Sequence, residues 1–291
     1  MHRALIKLIP FIFVFLWSTG FIAAKYALPF IEPFYLLFIR MALTTVVFIL
    51  LCFAFKVKPL PLGQAGHQMV TGFLVHGAYL GGVFAAIKWG MPAGITAIII
   101  GLQPALTAFL GWWFLGVRLH YTQWTGLGLG LIGVISVLLT TSQQEYVSLN
   151  WTAMLAAITA LFGISIGTLY QKRFGANVNL LAGSFWQYVS VLLLMAIMAW
   201  TLEARDVVWD QQLIFALAWL VIGLSVTAIL LLMYMIREGE TTKVASYFYL
   251  VPAVASIEAW LLFDEYLSIM SIIAIFVTVL GVYLVIRKKS E

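Results

Sequence analysis

Two ionisable side chains lie well inside long apolar runs of this sequence and could exchange protons there. Glu258 follows Pro252 by six residues in one such run, and His76 lies in another. Charge is costly in apolar surroundings, so ionisable groups there are candidates for function, and carboxyl and imidazole groups both carry protons. We predict that Glu258 or His76 couples a proton to function, with Lys25 as a third charged candidate. The alternatives are a His76 bonded to a backbone carbonyl and a Glu258 paired with Arg40 or Lys25.

Polar and aromatic side chains recur at helical spacing in the same runs. Gln103 and Thr107 share one helix face, and Tyr249 and Ser256 share another, because residues three, four and seven apart lie on one side of a helix. Such a surface suits an amphipathic solute, such as a zwitterion with an apolar side chain. The predicted substrate-binding residues are Trp17, Ser18, His76, Tyr79, Gln103, Thr107, Tyr234, Tyr249 and Ser256.

The elements that position these residues are membrane-spanning helices. The chain has 291 residues, of which 64% are hydrophobic and 9% charged, whereas about a quarter of the residues of a soluble domain are charged. A span needs about 20 apolar residues. We predict an all-α integral membrane protein with ten transmembrane helices over residues 6–26, 34–55, 67–87, 93–115, 122–140, 151–171, 180–200, 211–235, 243–263 and 267–286.

The charges predict the orientation of these spans. With the N-terminus in the cytoplasm, 12 of the 16 lysines and arginines fall on the cytoplasmic side, as the positive-inside rule requires. An even number of spans then places both termini in the cytoplasm. The basic charge therefore reports membrane orientation, and we expect membrane lipids and a small-molecule substrate as partners, with no nucleic acid. Because Cys52 is the only cysteine, an internal disulfide is excluded, and we expect no metal and no cofactor.

The second half of the sequence repeats the first. "QPALTAFLGWWFLGVRL" (103–119) aligns with "VPAVASIEAWLLFDEYL" (251–267) at a constant offset of 148, so that Pro104 meets Pro252. We therefore predict two five-helix repeats, residues 1–145 and 146–291. Five is odd, so the second copy enters the membrane from the opposite side, and paired helix breaks in inverted repeats are typical of a transporter's central site. Pro104 and Pro252 are the predicted helix breaks.

Three segments carry a family resemblance: "FLWSTGFIAAKYALPFIEPFYLLFIRMAL" (15–43), the repeated segment at 103–119, and "EYLSIMSIIAIFVTVLGVYLVI" (265–286). They resemble EamA-type members of the drug/metabolite transporter superfamily. The resemblance implies a bacterial inner-membrane permease, often an exporter of amino acids or related metabolites, with a central cavity lined mainly by helices 1, 3, 4, 6, 8 and 9. The family's glycine-glutamate pair is absent after helix 4, where Gly116 and Val117 stand.

We therefore expect a secondary transporter that exports amino acids or related small metabolites by alternating access. The alternatives are a multidrug or lipid- or sugar-precursor transporter of the same fold, and a channel. An enzyme is not expected, because the sequence has no HExxH, no GxSxG and no phosphate-binding glycine loop. The glycines of "GLGLGLIGV" (126–134) favour close helix contact, either within the fold or between the protomers of a homodimer, and the sequence does not decide between these. Substrate identity, direction of transport and the coupling ion also stay open.

Overall fold

The structure, a computed structural model, describes residues 2–91, 96, 99–141, 150–239, 241–263 and 269–286. These residues are helical apart from short connections, and their one extended pairing is a single antiparallel bridge between Ile31 and Val207. This agrees with the predicted all-α class.

The helices are numbered in chain order. The first five are α1 (His2–Ala27), α2 (Pro33–Ala54), α3 (Leu62–Lys88), α4 (Ile99–Leu115) and α5 (Tyr121–Thr141). The second five are α6 (Trp151–Gly175), α7 (Leu180–Leu202), α8 (Gln211–Glu238), α9 (Thr241–Ser246, Tyr247–Tyr249 and Leu250–Phe263) and α10 (Ile269–Ile286).

Five of the described helices, α2, α3, α6, α7 and α8, are long and apolar enough to cross a membrane. Shorter apolar stretches lie in α1, α4, α9 and α10. The molecule is therefore a multi-pass membrane protein, since hydrophobic helices of this length match the thickness of a bilayer core. That all ten helices cross, and that the two halves are inverted, remain predictions.

Equivalent helices of the two halves pack against each other. The most extensive contact in the described chain joins α5 to α10, and another joins α2 to α7. Glycines bring α5 and α10 close: an ideal Cβ built on Gly281 would lie 2.4 Å from the backbone nitrogen of Gly130, and one on Gly126 would lie 2.7 Å from the carbonyl oxygen of Gly281. Small residues at helix crossings allow this close approach. These glycines of the α5 run therefore pack within the fold.

A pair of acidic residues fastens the start of α2 to the end of α7. Both carboxylate oxygens of Glu203 accept hydrogen bonds at 2.7 Å, from the backbone N–H groups of Phe34 and Tyr35. Glu32 in turn accepts a bond of 2.9 Å from the backbone N–H of Arg205. The first N–H groups of a helix lack intrahelical partners, so Glu203 caps α2 from a distant part of the chain.

Candidate functional site

The backbone is irregular shortly before Pro104 in α4 and before Pro252 in α9. In α4 the backbone turns at Leu102 and the helix restarts at Gln103, which places Pro104 in its first turn. In α9 a 3₁₀ segment at Tyr247–Tyr249 precedes the helix that contains Pro252. Proline is tolerated in a first helical turn because its missing N–H would have had no partner there. The two equivalent helices are thus irregular at the same level of the repeat.

A large cavity lies beside the middle of α1 and α3. It contains about 530 Å³ of space unfilled by atoms, a volume that includes space open to the surroundings. The described residues that line it are Trp17, Gly20, Ala24, Arg40, His76, Tyr79, Leu80, Val83, Phe84, Ile87, Leu224 and Ile229. Its polar groups gather around Arg40, His76 and Tyr79, and the rest of the wall is mostly apolar.

Trp17 and Tyr79 form a wall that the large cavity shares with a smaller one. Nε1 of Trp17 donates a hydrogen bond of 3.2 Å to the Tyr79 hydroxyl, and the two rings stack with centroids 6.1 Å apart. The same two residues line the small cavity, of about 290 Å³, together with Ile100, Gly101, Phe248, Val251 and Pro252. The small cavity therefore reaches the level of the α9 break, and one aromatic pair separates it from the large cavity.

Arg40 is a buried cation in the wall of the large cavity. Its side chain is 3% exposed, and its Nε donates a hydrogen bond of 2.7 Å to the Ser225 hydroxyl. The Tyr188 hydroxyl donates to the backbone carbonyl of Ser225 at 2.8 Å, and the Tyr188 ring stacks on His76 with centroids 4.6 Å apart. One network thus joins α2, α3, α7 and α8 at the cavity.

Two polar residues of the network around Arg40 lie in π-helical segments. His76 lies in the segment Phe73–Ala78 of α3, and Ser225 lies in Leu220–Ala228 of α8. The two segments lie in the third helix of each half, α3 and α8. π-Helical turns are rare and are often found at functional sites. Here they shape both sides of the large cavity.

Glu258 is buried against α1. Oε1 of Glu258 lies 2.7 Å from Ser18 Oγ, which also lies 2.8 Å from the carbonyl oxygen of Phe15. The other carboxyl oxygen, Oε2, is buried and has no hydrogen-bond partner among the described residues. Arg40 bonds to Ser225 instead, so the alternative in which Glu258 pairs with Arg40 is wrong.

The remaining predicted site residues lie apart from the two cavities. Gln103 and Thr107 are buried, and their side-chain polar atoms have no hydrogen-bond partner in the described chain. Tyr249 packs against Gly130, at which an ideal Cβ would lie 2.5 Å from a ring carbon. Tyr234 lies near the end of α8 with the Arg237 guanidinium over its ring.

Two predicted side chains lie outside the described part of the structure. They are those of Lys25 and Ser256, whose backbones belong to α1 and α9. Across the residues that the structure does describe, no three His, Cys, Asp or Glu side chains cluster closely enough to hold a metal ion.

Sequence reasoning missed one important contributor, which is α2. The resemblance predicts a cavity lined by helices 1, 3, 4, 6, 8 and 9, whereas Arg40 of α2 lies in the wall. A single arginine in an apolar run fits snorkelling or helix pairing as well as ligand contact, so the sequence alone left its role open. Ser225 could not be singled out, because the π-helical segment that turns it toward Arg40 has no clear sequence signal.

Known proteins resemble from about two thirds to nearly the whole of this chain. It is 26% identical over 286 residues to a "Probable amino-acid metabolite efflux pump" of Escherichia coli (strain K12), covering 93% of this chain and 91% of that protein. It is 26% identical over 206 residues to the "Uncharacterized transporter YvbV" of Bacillus subtilis (strain 168), covering 69% of this chain and 65% of that one.

The fold has also been seen before. A crystal structure superposes with a TM-score of 0.80 over 97% of this chain and 96% of its own, at 20% identity, a likeness that concerns the fold alone. The sequence model of the EamA-like transporter family matches twice, at residues 5–139 and 151–287. These two matches cover both halves of the sequence, and the chain therefore belongs to the EamA-like transporter family.

Proposed function

We propose that this chain is a secondary transporter of the bacterial inner membrane that exports amino acids or related small metabolites by alternating access. Ten spans in two inverted five-helix repeats would carry this cycle, with both termini in the cytoplasm. The printed name of the Escherichia coli relative, an amino-acid metabolite efflux pump, supports the substrate class. A multidrug or lipid- or sugar-precursor transporter is the second candidate.

The observation that carries the proposal is the wall formed by Trp17 and Tyr79. A carrier needs one barrier between a pathway to each side of the membrane, and this pair lies between two cavities. In the predicted orientation, the large cavity runs from Trp17 to Ala24 along α1, toward the outer face. The small cavity meets the first half of α9, which enters from the cytoplasm. A rearrangement of these two aromatic rings would therefore change which of the two cavities is open to the bound substrate.

Proton coupling through Glu258 is part of the proposal. A serine hydroxyl has one proton to donate, yet Ser18 Oγ is within hydrogen-bond distance of two acceptors, Phe15 O and Glu258 Oε1. Both contacts are satisfied when the carboxyl group is protonated and donates to Ser18 while Ser18 donates to Phe15. Loss of that proton would leave Ser18 with one proton for two acceptors, so its contact with either Phe15 or Glu258 would be lost, which is how protonation would bias the cycle. His76, stacked on Tyr188 in the large cavity, is the second candidate coupling group.

The test is counterflow in proteoliposomes loaded with aromatic, branched-chain and hydroxylated amino acids, with and without a pH gradient. Exchange of a labelled solute is expected, and Trp17→Ala is expected to abolish it because the wall loses its larger ring. Trp113→Ala is the matched control, since Trp113 is 65% exposed whereas Trp17 is 7% exposed. If the folded protein exchanges no member of the panel, the amino-acid proposal falls, and drugs, sugars and lipid head groups form the next panel.

A further inference from the structure

Arg40 has charge and hydrogen-bonding capacity that the described protein leaves unused. A guanidinium group has five N–H donors, and the bonds of Arg40 within the described chain use Nε alone. Its terminal nitrogens, Nη1 and Nη2, make no hydrogen bond there, and the residue lines the large cavity. These donors are therefore available to a ligand in the cavity.

No carboxylate of the described chain lies within salt-bridge distance of Arg40. Glu258 contacts Ser18, and Glu32 and Glu203 serve the junction between α2 and α7. A buried charge without a counter-charge is costly. An anion that enters the cavity and compensates the charge of Arg40 would therefore stabilise the protein.

The rest of the cavity wall determines what kind of anion fits. Beyond the polar group of Arg40, His76 and Tyr79, the wall continues along α3 with Val83, Phe84 and other apolar side chains. The described lining residues include no aspartate or glutamate that could hold an ammonium group. The cavity thus offers one cationic end and one apolar end.

We propose that Arg40 binds the carboxylate of the transported solute, and that the solute is an amphipathic monocarboxylate whose apolar tail lies along α3. Arginine and carboxylate make charge-assisted, often bidentate hydrogen bonds, and the bond from Nε to Ser225 fixes the plane of the guanidinium group. A deaminated or N-acylated amino acid fits this site better than a zwitterion, whose ammonium group would lose water without gaining a counter-charge. This inference rests on the proposed transport function and narrows its substrate class.

The test is calorimetric binding to the purified protein in nanodiscs, with 4-methylpentanoate as the probe and 4-methylpentanamide as its uncharged analogue. The expected result is that Arg40→Gln weakens carboxylate binding by about 10- to 100-fold, the range for a lost hydrogen bond to a charged group, and leaves amide binding unchanged. Arg118→Gln, at an exposed arginine, is the matched control. Arg40→Lys keeps the charge but lacks the planar arrangement of donors. Its affinity for the carboxylate is expected to fall between those of wild type and Arg40→Gln.

Three results would overturn the assignment. The first is equal carboxylate binding by wild type and Arg40→Gln. The second is equal binding of carboxylate and amide by the wild type, which decides the matter even if Arg40→Gln does not fold. The third is tighter binding of leucine than of 4-methylpentanoate, which would exclude an ammonium-free substrate. Counterflow of labelled 4-methylpentanoate separates the two proposals. Exchange that Arg40→Gln leaves intact removes the role of Arg40 alone, whereas a wild type that exchanges neither this probe nor any amino acid of the panel removes the proposed transport of amino acids and related metabolites.

Discussion

Arg40 of α2 and Tyr188 of α7 both hydrogen-bond to Ser225 of α8, the first to its hydroxyl group and the second to its backbone carbonyl. These two helices, one from each half, pack against each other and bring different residues to one point. One provides a cation and the other a phenol, and they meet at a single serine. The duplicated framework thus carries an asymmetric site, with its charge on the side of the first half.

The contact between α5 and α10 predicts that Gly281→Ala destabilises the protein. A Cβ on Gly281 would lie 2.4 Å from the backbone nitrogen of Gly130, so the helices must move apart, and overpacking of this kind costs about 1–3 kcal/mol. The measurement is thermal unfolding in detergent. Gly128→Ala is the matched control, because a Cβ on Gly128 meets no atom within 4 Å. Equal melting temperatures for the two variants would contradict the close packing.

Glu203→Gln is expected to lower stability by about 1 kcal/mol, as loss of a helix cap does. Both oxygens of Glu203 accept backbone N–H bonds, and glutamine replaces one oxygen with a donor that faces another donor. Thermal unfolding measures the effect. Asp206→Asn is the control, since Asp206 is an exposed acid in the same connection. A Glu203→Gln protein as stable as the control would show that the cap contributes nothing.

Glu203 also predicts a pH effect. Burial raises the pKa of Glu203 above its ordinary value, and the N–H groups of Phe34 and Tyr35 oppose that rise. Between the ordinary and the raised pKa the folded state binds more protons than the unfolded state, so the contribution of Glu203 to the free energy of unfolding falls as pH rises through this window. Infrared titration of the carboxyl band should show a signal titrating above an exposed glutamate and missing in Glu203→Gln. A band that titrates at or below the ordinary pKa would contradict this.

The fold class could be predicted because it depends on local pattern. Apolar runs, prolines and a repeated segment are properties of the chain itself, and the backbone is irregular just before Pro104 and Pro252. Among the predicted site residues, Trp17, His76 and Tyr79 line the large cavity. They are large side chains with a polar group at the tip. They lie in the middle of their helices, where few roles other than binding are expected of such side chains.

The rest of the site depends on rotation of helices about their axes, which sequence spacing does not fix. Tyr234 of α8 is a predicted binding residue, yet it lies under Arg237 near the helix end. The π-helical segments rotate the turns of α3 and α8 that follow them, relative to a regular α-helix. A helix face predicted with a period of 3.6 residues is therefore displaced beyond these segments. Ser225 meets Arg40 from within the π-helical segment of α8, which the sequence does not signal, so the sequence did not pair them.

The wall between the cavities predicts the sides from which cysteines can be labelled. In a Cys52→Ser background, Ala24→Cys lies in the large cavity and Val251→Cys in the small one. An impermeant maleimide is expected to label the first from the outer face and the second from the cytoplasmic face. Adding Trp17→Ala should raise labelling of the second from the outer face several-fold. Leu217→Cys, buried outside both cavities, is the control that should stay unlabelled, and labelling of both cavity positions from one face alone would contradict the wall.

Proton coupling predicts the behaviour of Glu258→Gln. Glutamine resembles the protonated carboxyl group, so its amide can still donate to Ser18, but it cannot release a proton. Counterflow should therefore continue in Glu258→Gln, while stimulation by a pH gradient is lost. Glu238→Gln is the matched control, since Glu238 is an exposed partner of Arg237, and it should keep the stimulation. If Glu258→Gln keeps its response to the gradient and His76→Ala loses it, His76 is the coupling group. If both variants respond like wild type, neither residue carries the proton.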